Sequence, residues 1–344
     1  MRAGLTAEPA VQVQFEGLEE MGRLSRALAY RPLPLLAEHG LDPRTLRWHA
    51  VQSLRARREL NRLLRARTPD VLYVHTQSIA LFTGAIMRRV PVVLSVDASV
   101  RAWSQMPAWA ETRGGERQVR PSVALERRAL RGARLVVAWT EWARRGLLAE
   151  EPEANVIGHH PGIDLDYWRP AAREPRERPR LLFVGGRFAE KGGFDILAAL
   201  QGRLGSAVDL DVVTRDDVPQ AEGVRVHRLD PASPELLRLY QQADLLVLPT
   251  YGDTNPWVLL EAMACGTPAV SSDVGAIPEL LDEGRAGTVV PHGDRDALAG
   301  ALDALLADGS RRARLGAAAR ERCEQRYDAR RQFPALVTRL RELL

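Results

Sequence analysis

Short apolar runs rich in β-branched residues alternate with helical segments along the chain, and this alternation restricts the fold more than any other feature. The runs are continuously apolar, which is typical of strands buried on both faces of a parallel sheet that helices cover. The predicted strands are residues 11–15, 71–76, 91–96, 134–139, 155–160, 180–185, 208–214, 224–229, 244–249, 268–272 and 287–291. The sequence therefore predicts an α/β fold built from doubly wound, Rossmann-like sheets.

A segment rich in proline and charge, WRPAAREPRERPR at 168–180, interrupts this alternation and is typical of a linker. The chain has 344 residues, more than one core usually supports. We therefore expect an N-terminal domain at 1–168, a linker at 169–179 and a C-terminal domain at 180–344. A ligand cleft is expected between the carboxyl ends of the strands of the two domains.

The first domain has an unusual start. Only ten residues precede its first, weak strand at 11–15, and no glycine-rich turn follows that strand. A doubly wound domain usually opens with a strand and a glycine-containing phosphate loop. Two interpretations stay open: the N-terminus is truncated, or the domain lacks this first strand and glycine loop.

Bulk composition argues against several classes of protein. The longest apolar runs are far shorter than the ~20 residues that span a bilayer, and the N-terminus lacks the apolar segment of a signal peptide. Two cysteines, Cys265 and Cys323, form no disulfide framework and fit a reducing cytoplasm. The net charge is only +4, and neither zinc-finger spacing nor an aromatic series is present. We expect a cytoplasmic protein that does not bind nucleic acid.

Lys191 is the only lysine of the chain; every other basic side chain among the 48 Lys and Arg residues is arginine. It lies in VGGRFAEKGG, where Gly185 and Gly186 end a predicted strand and allow close approach to a ligand. The helix that follows offers free N–H groups, and Arg187 adds a second cation. This combination suits a diphosphate, although a basic surface turn is an open alternative. A lysine that survives where arginine is otherwise universal either marks a position that arginine does not fill or has persisted by chance.

A second helix N-terminus follows the strand at 244–249. Asn255 is a suitable N-cap and Pro256 a suitable first residue for a helix predicted at about 256–265. Asp253 precedes the cap, and Glu261 stands among apolar neighbours in the helix. A carboxylate in such surroundings is costly unless it is paired, and sugar hydroxyls would pair it. A solvated helix face is the alternative.

These two segments and SSDVGAIPELLDEGRAGTVVPHGD at 271–294 resemble, in order and spacing, the donor-binding domain of the retaining GT-B glycosyltransferases of family 4. The resemblance covers roughly 180–344. It implies two Rossmann-like domains with a cleft between them and a terminal helix at about 328–344 that crosses back to the first domain. It also implies no metal and no cofactor, because cations and helix dipoles stabilise the leaving diphosphate. The sequences Asp-Leu-Asp at 164–166 and 209–211 are therefore assigned to a turn and a strand, not to a metal site.

The resemblance implies individual roles. Arg187 and Lys191 would bind the diphosphate of a nucleotide sugar, and Glu261 would hold ribose hydroxyls. Asp253 occupies the position of a glutamate that contacts the sugar and is one methylene shorter. The residues expected to line the nucleotide sugar are Gly185, Gly186, Thr254, Asn255, Pro256, Trp257, Val258 and His75.

The first domain matches the family less closely. His75 ends the strand at 71–76, as a histidine does in the family, and should face the cleft. Asp97 follows the strand at 91–96, where many members carry a histidine near the donor sugar. From the residues alone, Asp97 could orient the acceptor, cap a helix or lie in a loop.

The predicted function is transfer of a sugar from a nucleotide diphosphate sugar to an acceptor hydroxyl, with retention of configuration, in polysaccharide, glycolipid or glycoconjugate synthesis. The acceptor would be a sugar, a glycan or a lipid-linked molecule. The residues proposed for catalysis are Arg187, Lys191, Asp253, Glu261 and Asp97. The alternative is a GT-B-like protein that binds nucleotide sugars without transferase activity, which the missing loop and Asp97 favour and the intact donor motifs oppose.

Residues 44–67 carry eight arginines and one glutamate, with leucines at helical spacing. Such a basic amphipathic helix could rest on anionic lipid at the inner face of the cell membrane. The alternative is a helix that packs on its own sheet with an arginine-rich outer face.

Overall fold

The structure is a computed structural model that describes residues 12–35, 43–110, 115–231 and 233–343. The chain divides into two compact units. The first comprises residues up to Pro161 together with those from Gln332 onward, and the second is Gly162–Arg331. Among the described residues, no helix combines the length and hydropathy needed to cross a bilayer.

The first unit contains a four-stranded parallel sheet in the order β1-β2-β3-β4. Its strands are β1 Leu72–His75, β2 Val92–Val96, β3 Leu135–Ala138 and β4 Val156–Gly158. Its helices are α1 Arg23–Tyr30, α2 Arg44–Ala66, α3 Gly84–Met87, α4 Val100–Ser104, α5 Pro107–Ala110, α6 Gly115–Gly132 and α7 Glu141–Glu150. Every residue of β2 and β3 is buried, as their continuous apolar sequences require. The strands predicted from residue 71 to residue 160 are confirmed.

The strand predicted at 11–15 is wrong over the part that is described, because residues 12–22 form no regular secondary structure. In VQVQF, apolar residues alternate with glutamine, so only one face could be buried. Phe15 is half-buried and Gln14 is exposed.

The order of the four described strands in the first sheet follows their order in the chain. The sheet therefore lacks, among these strands, the reversal of direction that marks a nucleotide-binding crevice.

The second unit contains a six-stranded parallel sheet in the order β10-β9-β8-β5-β6-β7. Its strands are β5 Arg180–Val184, β6 Asp209–Val213, β7 Val224–His227, β8 Leu245–Leu248, β9 Ala269–Ser272 and β10 Thr288–Val290. Its helices are α8 Gly193–Ala199, α9 Pro234–Gln242, α10 Trp257–Ala264, α11 Ile277–Leu280, α12 Arg295–Ala307 and α13 Gly309–Arg322. The order reverses between β5 and β8, and ligands of doubly wound sheets bind at the carboxyl ends of the strands at such a point.

The last helix, α14, spans Ala329–Arg341. Leu336 of this helix joins Val93, Leu135 and Val137 in one buried cluster, so α14 completes the core on one face of the first unit's sheet. The chain therefore ends on the unit in which it began.

At the switch point of the second sheet, the loops after β5 and β8 touch through their backbones. Gly192 has φ of 77°, and a Cβ atom there would lie 2.1 Å from the carbonyl oxygen of Pro249. The main-chain N–H of Tyr251 donates to the carbonyl of Glu190 at 3.0 Å. Glycine is required at 192 for two reasons: its φ and its lack of a side chain.

We expect Gly192→Ala to lower the free energy of unfolding much more than Gly202→Ala. Both glycines have φ of 77°, but no atom lies within 4 Å of the Cβ position at Gly202. Gly202→Ala should cost about 1–2 kcal/mol from φ alone. Gly192→Ala should cost about 3 kcal/mol or more, because it adds a backbone collision. Equal costs in urea unfolding would show that the two loops are not held in contact.

Candidate functional site

Lys191 lies at the switch point and is directed toward the loop after β8. Its Nζ donates to Asp253 Oδ2 at 2.5 Å and to the carbonyl oxygen of Gly252 at 2.7 Å. Both charged side chains are about one-fifth exposed. A Cβ at Gly185 would lie 3.1–3.2 Å from the lysine stem, so glycine leaves room for this side chain. The structure thus brings Gly185, Lys191 and Asp253 together.

Arg187, unlike Lys191, pairs with a residue of its own loop. Its guanidinium pairs with Glu190 of the same loop at 2.8 Å, and its side chain is 67% exposed. The neighbouring Gly186 is also exposed. Sequence reasoning missed Glu190, although its three-residue spacing from Arg187 is a recognised spacing for such pairs. Arg187 is therefore held by a local, exposed ion pair and can exchange partners at small cost.

Asp253 fixes the loop that leads into α10. Its Oδ1 accepts the main-chain N–H of Asn255 at 3.2 Å while its Oδ2 binds Lys191. Because Asn255 is still part of this turn, Pro256 is the N-cap and the helix starts at Trp257, one residue later than predicted.

The residues around this helix start differ in exposure. Asn255 and Pro256 are buried, Thr254 and Val258 are half-buried, and Trp257 is exposed. The carbonyl oxygen of Thr254 accepts the N–H of Ala276 at 3.2 Å, which ties the turn to the loop after β9.

Glu261 is half-buried on α10 and does not lie on a solvated face. The hydroxyl of Tyr240, a fully buried residue, donates to its Oε2 at 2.7 Å. Burial raises the pKa of Glu261, and the hydrogen bond from Tyr240 lowers it in part. The carboxylate that the sequence singled out as needing a partner therefore has one within the protein.

A buried carboxylate that sequence reasoning missed joins three elements of this unit. Asp195, in the first turn of α8, accepts from Arg295 Nε of α12 at 2.6 Å and from the Tyr251 hydroxyl at 2.9 Å. Tyr251 belongs to the loop after β8. An acidic residue in a first turn is ordinarily explained by the helix dipole, so the sequence contains no signal for this contact.

In the first unit, aromatic residues gather at the carboxyl edge of the sheet. The exposed His75 ring stacks on Trp139, with centroids 5.0 Å apart and an angle of 5° between planes. Trp139 Nε1 donates to Ser95 Oγ at 2.7 Å. The ring of His160 is tilted by 59° to the ring of Trp139, and their centroids are 6.4 Å apart. Asp97 directly follows β2 at the same edge and is half-buried. Trp139 was not singled out from the sequence, although it directly follows β3, at the same edge of the sheet as His75 at the end of β1.

The aspartates of the two Asp-Leu-Asp sequences make hydrogen bonds and ion pairs within the protein. Asp164 Oδ1 accepts the N–H groups of Asp166 and Tyr167 within a turn. Asp211 lies in β6 and pairs with Arg225 and His227. In the parts of the chain that the structure describes, no group of three or more His, Cys, Asp or Glu side chains is arranged to hold a metal ion.

Two solved structures share this fold. One is the sucrose-phosphate synthase of Thermosynechococcus elongatus, with a TM-score of 0.71 and 20% identity over 91% of this chain and 80% of that chain. The other is HepE of Anabaena in complex with UDP-glucose, with a TM-score of 0.62 and 18% identity over 78% of each chain. The fold is therefore GT-B, a fold of glycosyltransferases.

The amino-acid sequence identifies the family. Residues 178–308 match the family model described as glycosyl transferases group 1, and residues 19–167 match glycosyltransferase family 4. An alpha-maltose-1-phosphate synthase of Mycobacterium tuberculosis is 31% identical over 361 aligned positions, which cover 92% of this chain and 87% of that protein. The chain belongs to the group 1 glycosyltransferases of family 4.

The raised pKa of Glu261 predicts a pH-dependent stability. A glutamate whose folded-state pKa lies above its ordinary value of 4.5 contributes stability below that pH, and the contribution is lost as pH rises through the folded-state pKa. Glu261→Gln cannot titrate, so its free energy of unfolding relative to wild type should increase from about pH 4.5 upward. Denaturant unfolding across this range measures the difference. A difference that stays flat across this pH range would contradict the prediction.

Proposed function

We propose that this glycosyltransferase moves a sugar from a nucleoside diphosphate sugar to an acceptor hydroxyl, with retention of anomeric configuration. The observation that carries the proposal is the position of Lys191. The only lysine of the chain lies at the switch point of the second sheet, in a loop that glycine contacts hold against the loop after β8. A cation at that point suits a diphosphate.

The chemical task is to stabilise a departing diphosphate beside a sugar that develops positive charge. Preorganised cations and helix N-termini do this most effectively in a dry site. Lys191 would exchange Asp253 and Gly252 for phosphate oxygens, and the exposed Arg187 would turn from Glu190 to a second phosphate. Each charge-assisted contact is worth about 1.5–3 kcal/mol. On this proposal no metal is needed.

The remaining site residues take complementary roles. Asp253 would contact the transferred sugar once Lys191 has turned to the phosphates, and Glu261 would accept ribose hydroxyls through its second oxygen. The main chain at Gly185, Gly186 and 254–258 would line the sugar and phosphates. In the first unit, Asp97 would orient the acceptor, and His75, which the resemblance places among the residues that line the nucleotide sugar, would contact the acceptor as well as the transferred sugar.

The names of the relatives guide the choice of acceptor. The Mycobacterium tuberculosis relative is named for a sugar phosphate product, and the Thermosynechococcus elongatus protein of the same fold is too. We propose a hexose or hexose phosphate hydroxyl as the acceptor class, in glycan or glycoconjugate synthesis. UDP-glucose, which HepE binds, is the first donor to test.

The proposal is tested by a thermal-shift screen of UDP-, GDP-, ADP- and TDP-sugars, followed by turnover with free hexoses, hexose phosphates and lipid-linked sugars. One nucleotide series should stabilise the protein, and one acceptor class should yield a product of retained configuration. Stabilisation and donor hydrolysis without transfer to any acceptor would favour the alternative, a nucleotide-sugar-binding protein without transferase activity. Stabilisation by none of the nucleotides would contradict both.

Substitution of Lys191 tests the charge directly. Lys191→Ala should lower kcat/KM about 10- to 100-fold, the loss expected for one charge-assisted contact. Lys191→Arg should lose a similar factor, because a planar fork does not replace a compact ammonium between Gly252 and Asp253. The exposed Arg285→Ala is the control and should keep wild-type turnover. Wild-type turnover in Lys191→Arg would show that lysine has no special role at this position.

A peripheral contact with anionic lipid is proposed for α2. Its Leu54 is 53% exposed, and the adjacent Arg57 and Arg58 are also exposed. Leu54 could enter the interface while the arginines meet lipid phosphates. Co-sedimentation should be stronger with anionic than with neutral vesicles, and Leu54→Ser should weaken it. Equal sedimentation with both vesicles would leave α2 as a helix packed on its own sheet.

A further inference from the structure

Glu126 of α6 is completely buried and is not among the residues proposed to bind the nucleotide sugar or the acceptor. Its hydrogen-bond partners within the described residues are neutral. The main-chain N–H of Val100 donates to its two oxygens at 2.9 and 3.2 Å, and the side-chain amide of Gln77 donates to Oε1 at 2.8 Å. A buried carboxyl group is costly to keep, even when such groups satisfy it. Because an apolar side chain would fill the core at lower cost, we expect the carboxyl group at this position to have a further role.

The two partners of Glu126 come from the two loops that carry the acceptor-side residues. Gln77 opens the short 3₁₀ turn that follows β1, two residues after His75. Val100 is the first residue of α4, three residues after Asp97. The Gln77 amide also donates to the carbonyl oxygen of Ala98 at 2.7 Å, which links the two loops to each other. One carboxylate and one amide thus fix both loops at the carboxyl edge of the sheet.

We propose that Glu126 is a positioning residue for acceptor binding: it holds the loops that carry His75 and Asp97 in one fixed relation. This inference rests on the proposed function, because it assigns the acceptor to that edge. Glu126 does not touch substrate on this account. It acts through Gln77 and Val100.

A second buried glutamate shows what an ordinary structural carboxylate looks like in this unit. Glu151 precedes β4, at the opposite edge of the sheet, and is also buried. It pairs with Arg131 at 2.8 Å and with Arg127 at 3.5 Å. Its charge is neutralised by arginines, and among the described residues no hydrogen bond or ion pair connects its side chain to the loops that follow β1 and β2. Glu151 is therefore the matched control for Glu126.

The charges around Glu126 supply an independent readout. Burial raises its pKa to about 7 against the opposing effects of the Val100 N–H and the Gln77 amide. Of the nearby charges, Glu150 raises this pKa and Arg101 lowers it; these two residues pair with each other.

Among the other described elements that pack on α6, α2 carries titratable side chains, and there the hydrogen bond from Arg62 lowers the pKa of Glu59. In α2, burial lowers the pKa of His49 to about 4, so His49 stays neutral near pH 7. Neither α3 nor the turn after β1 has a titratable side chain. An activity change centred near pH 7 that disappears in Glu126→Gln would therefore report on Glu126.

The test compares Glu126→Leu, Glu126→Gln and Glu151→Gln in the full chain. Hydrogen exchange should show loss of protection at 97–101 in Glu126→Leu only. Transfer by Glu126→Leu should fall about 10- to 100-fold through the acceptor KM, the scale of a small misplacement. UDP-glucose affinity should be unchanged. Glu126→Gln, which keeps one acceptor oxygen, should restore most of the protection and most of the transfer rate and should flatten the pH profile near 7.

Two outcomes would overturn the proposal: unchanged protection at 97–101 in Glu126→Leu, or equal losses of transfer in Glu126→Leu and Glu151→Gln. If Glu126→Leu does not fold, Gln77→Ala can replace it, because it removes the amide that binds both Glu126 and the carbonyl oxygen of Ala98. Unchanged protection at 97–101 in Gln77→Ala would also overturn the proposal. Failure of the proposed function is separable, because it would appear in wild type as absent nucleotide-sugar binding or as donor hydrolysis without transfer to any acceptor. The exchange measurement on Glu126 would still give its own result.

Discussion

The backbone contact between Gly192 and Pro249 is the constraint on which the sugar-donor side of this molecule depends. It brings the loop after β5 against the loop after β8 at the point where the strand order reverses. With a side chain at 192 the two backbones could not stay at this distance, and the contact of Lys191 with Asp253 would be disturbed. The glycines in this loop therefore act by permitting approach between two parts of the protein, in addition to any approach to a ligand.

Charged groups in the second unit are connected in a chain of contacts around that approach. Lys191 meets Asp253, whose other oxygen shapes the turn before α10. Asp195 binds Tyr251 of the same loop and Arg295 of α12. Because Asp253 and Asp195 each connect the loop after β8 to other elements, the protein itself holds that loop in place. Such preorganisation is what electrostatic stabilisation of a leaving group requires.

Continuous apolar runs predicted strands correctly, whereas alternation of apolar and polar residues did not decide the outcome, since the alternating VRVH forms β7. Strands such as β2, β3 and β8 were found because a parallel sheet covered by helices demands continuous apolar runs. VQVQF lacks that signature and forms no strand over its described residues. Among site residues, Lys191 was recognisable because it is the only lysine of the chain, and Glu261 because its neighbours in the helix are apolar. Asp195, Trp139 and Glu126 were not, since each fits its own segment without conflict.

The amino-acid sequence by itself determined the alternation of strands and helices, the family motifs and the unusual lysine. All of these are local patterns, which hydrophobic periodicity and residue type express directly. Tertiary structure alone decided which distant groups meet: Lys191 with Asp253, and Glu126 with Gln77 and Val100. Those pairings depend on the order of strands in each sheet and on the closeness of backbones at glycine. The hydrophobic periodicity of a single segment specifies neither the order of the strands nor the distance between backbones. These contacts could therefore be identified only from the assembled sheets.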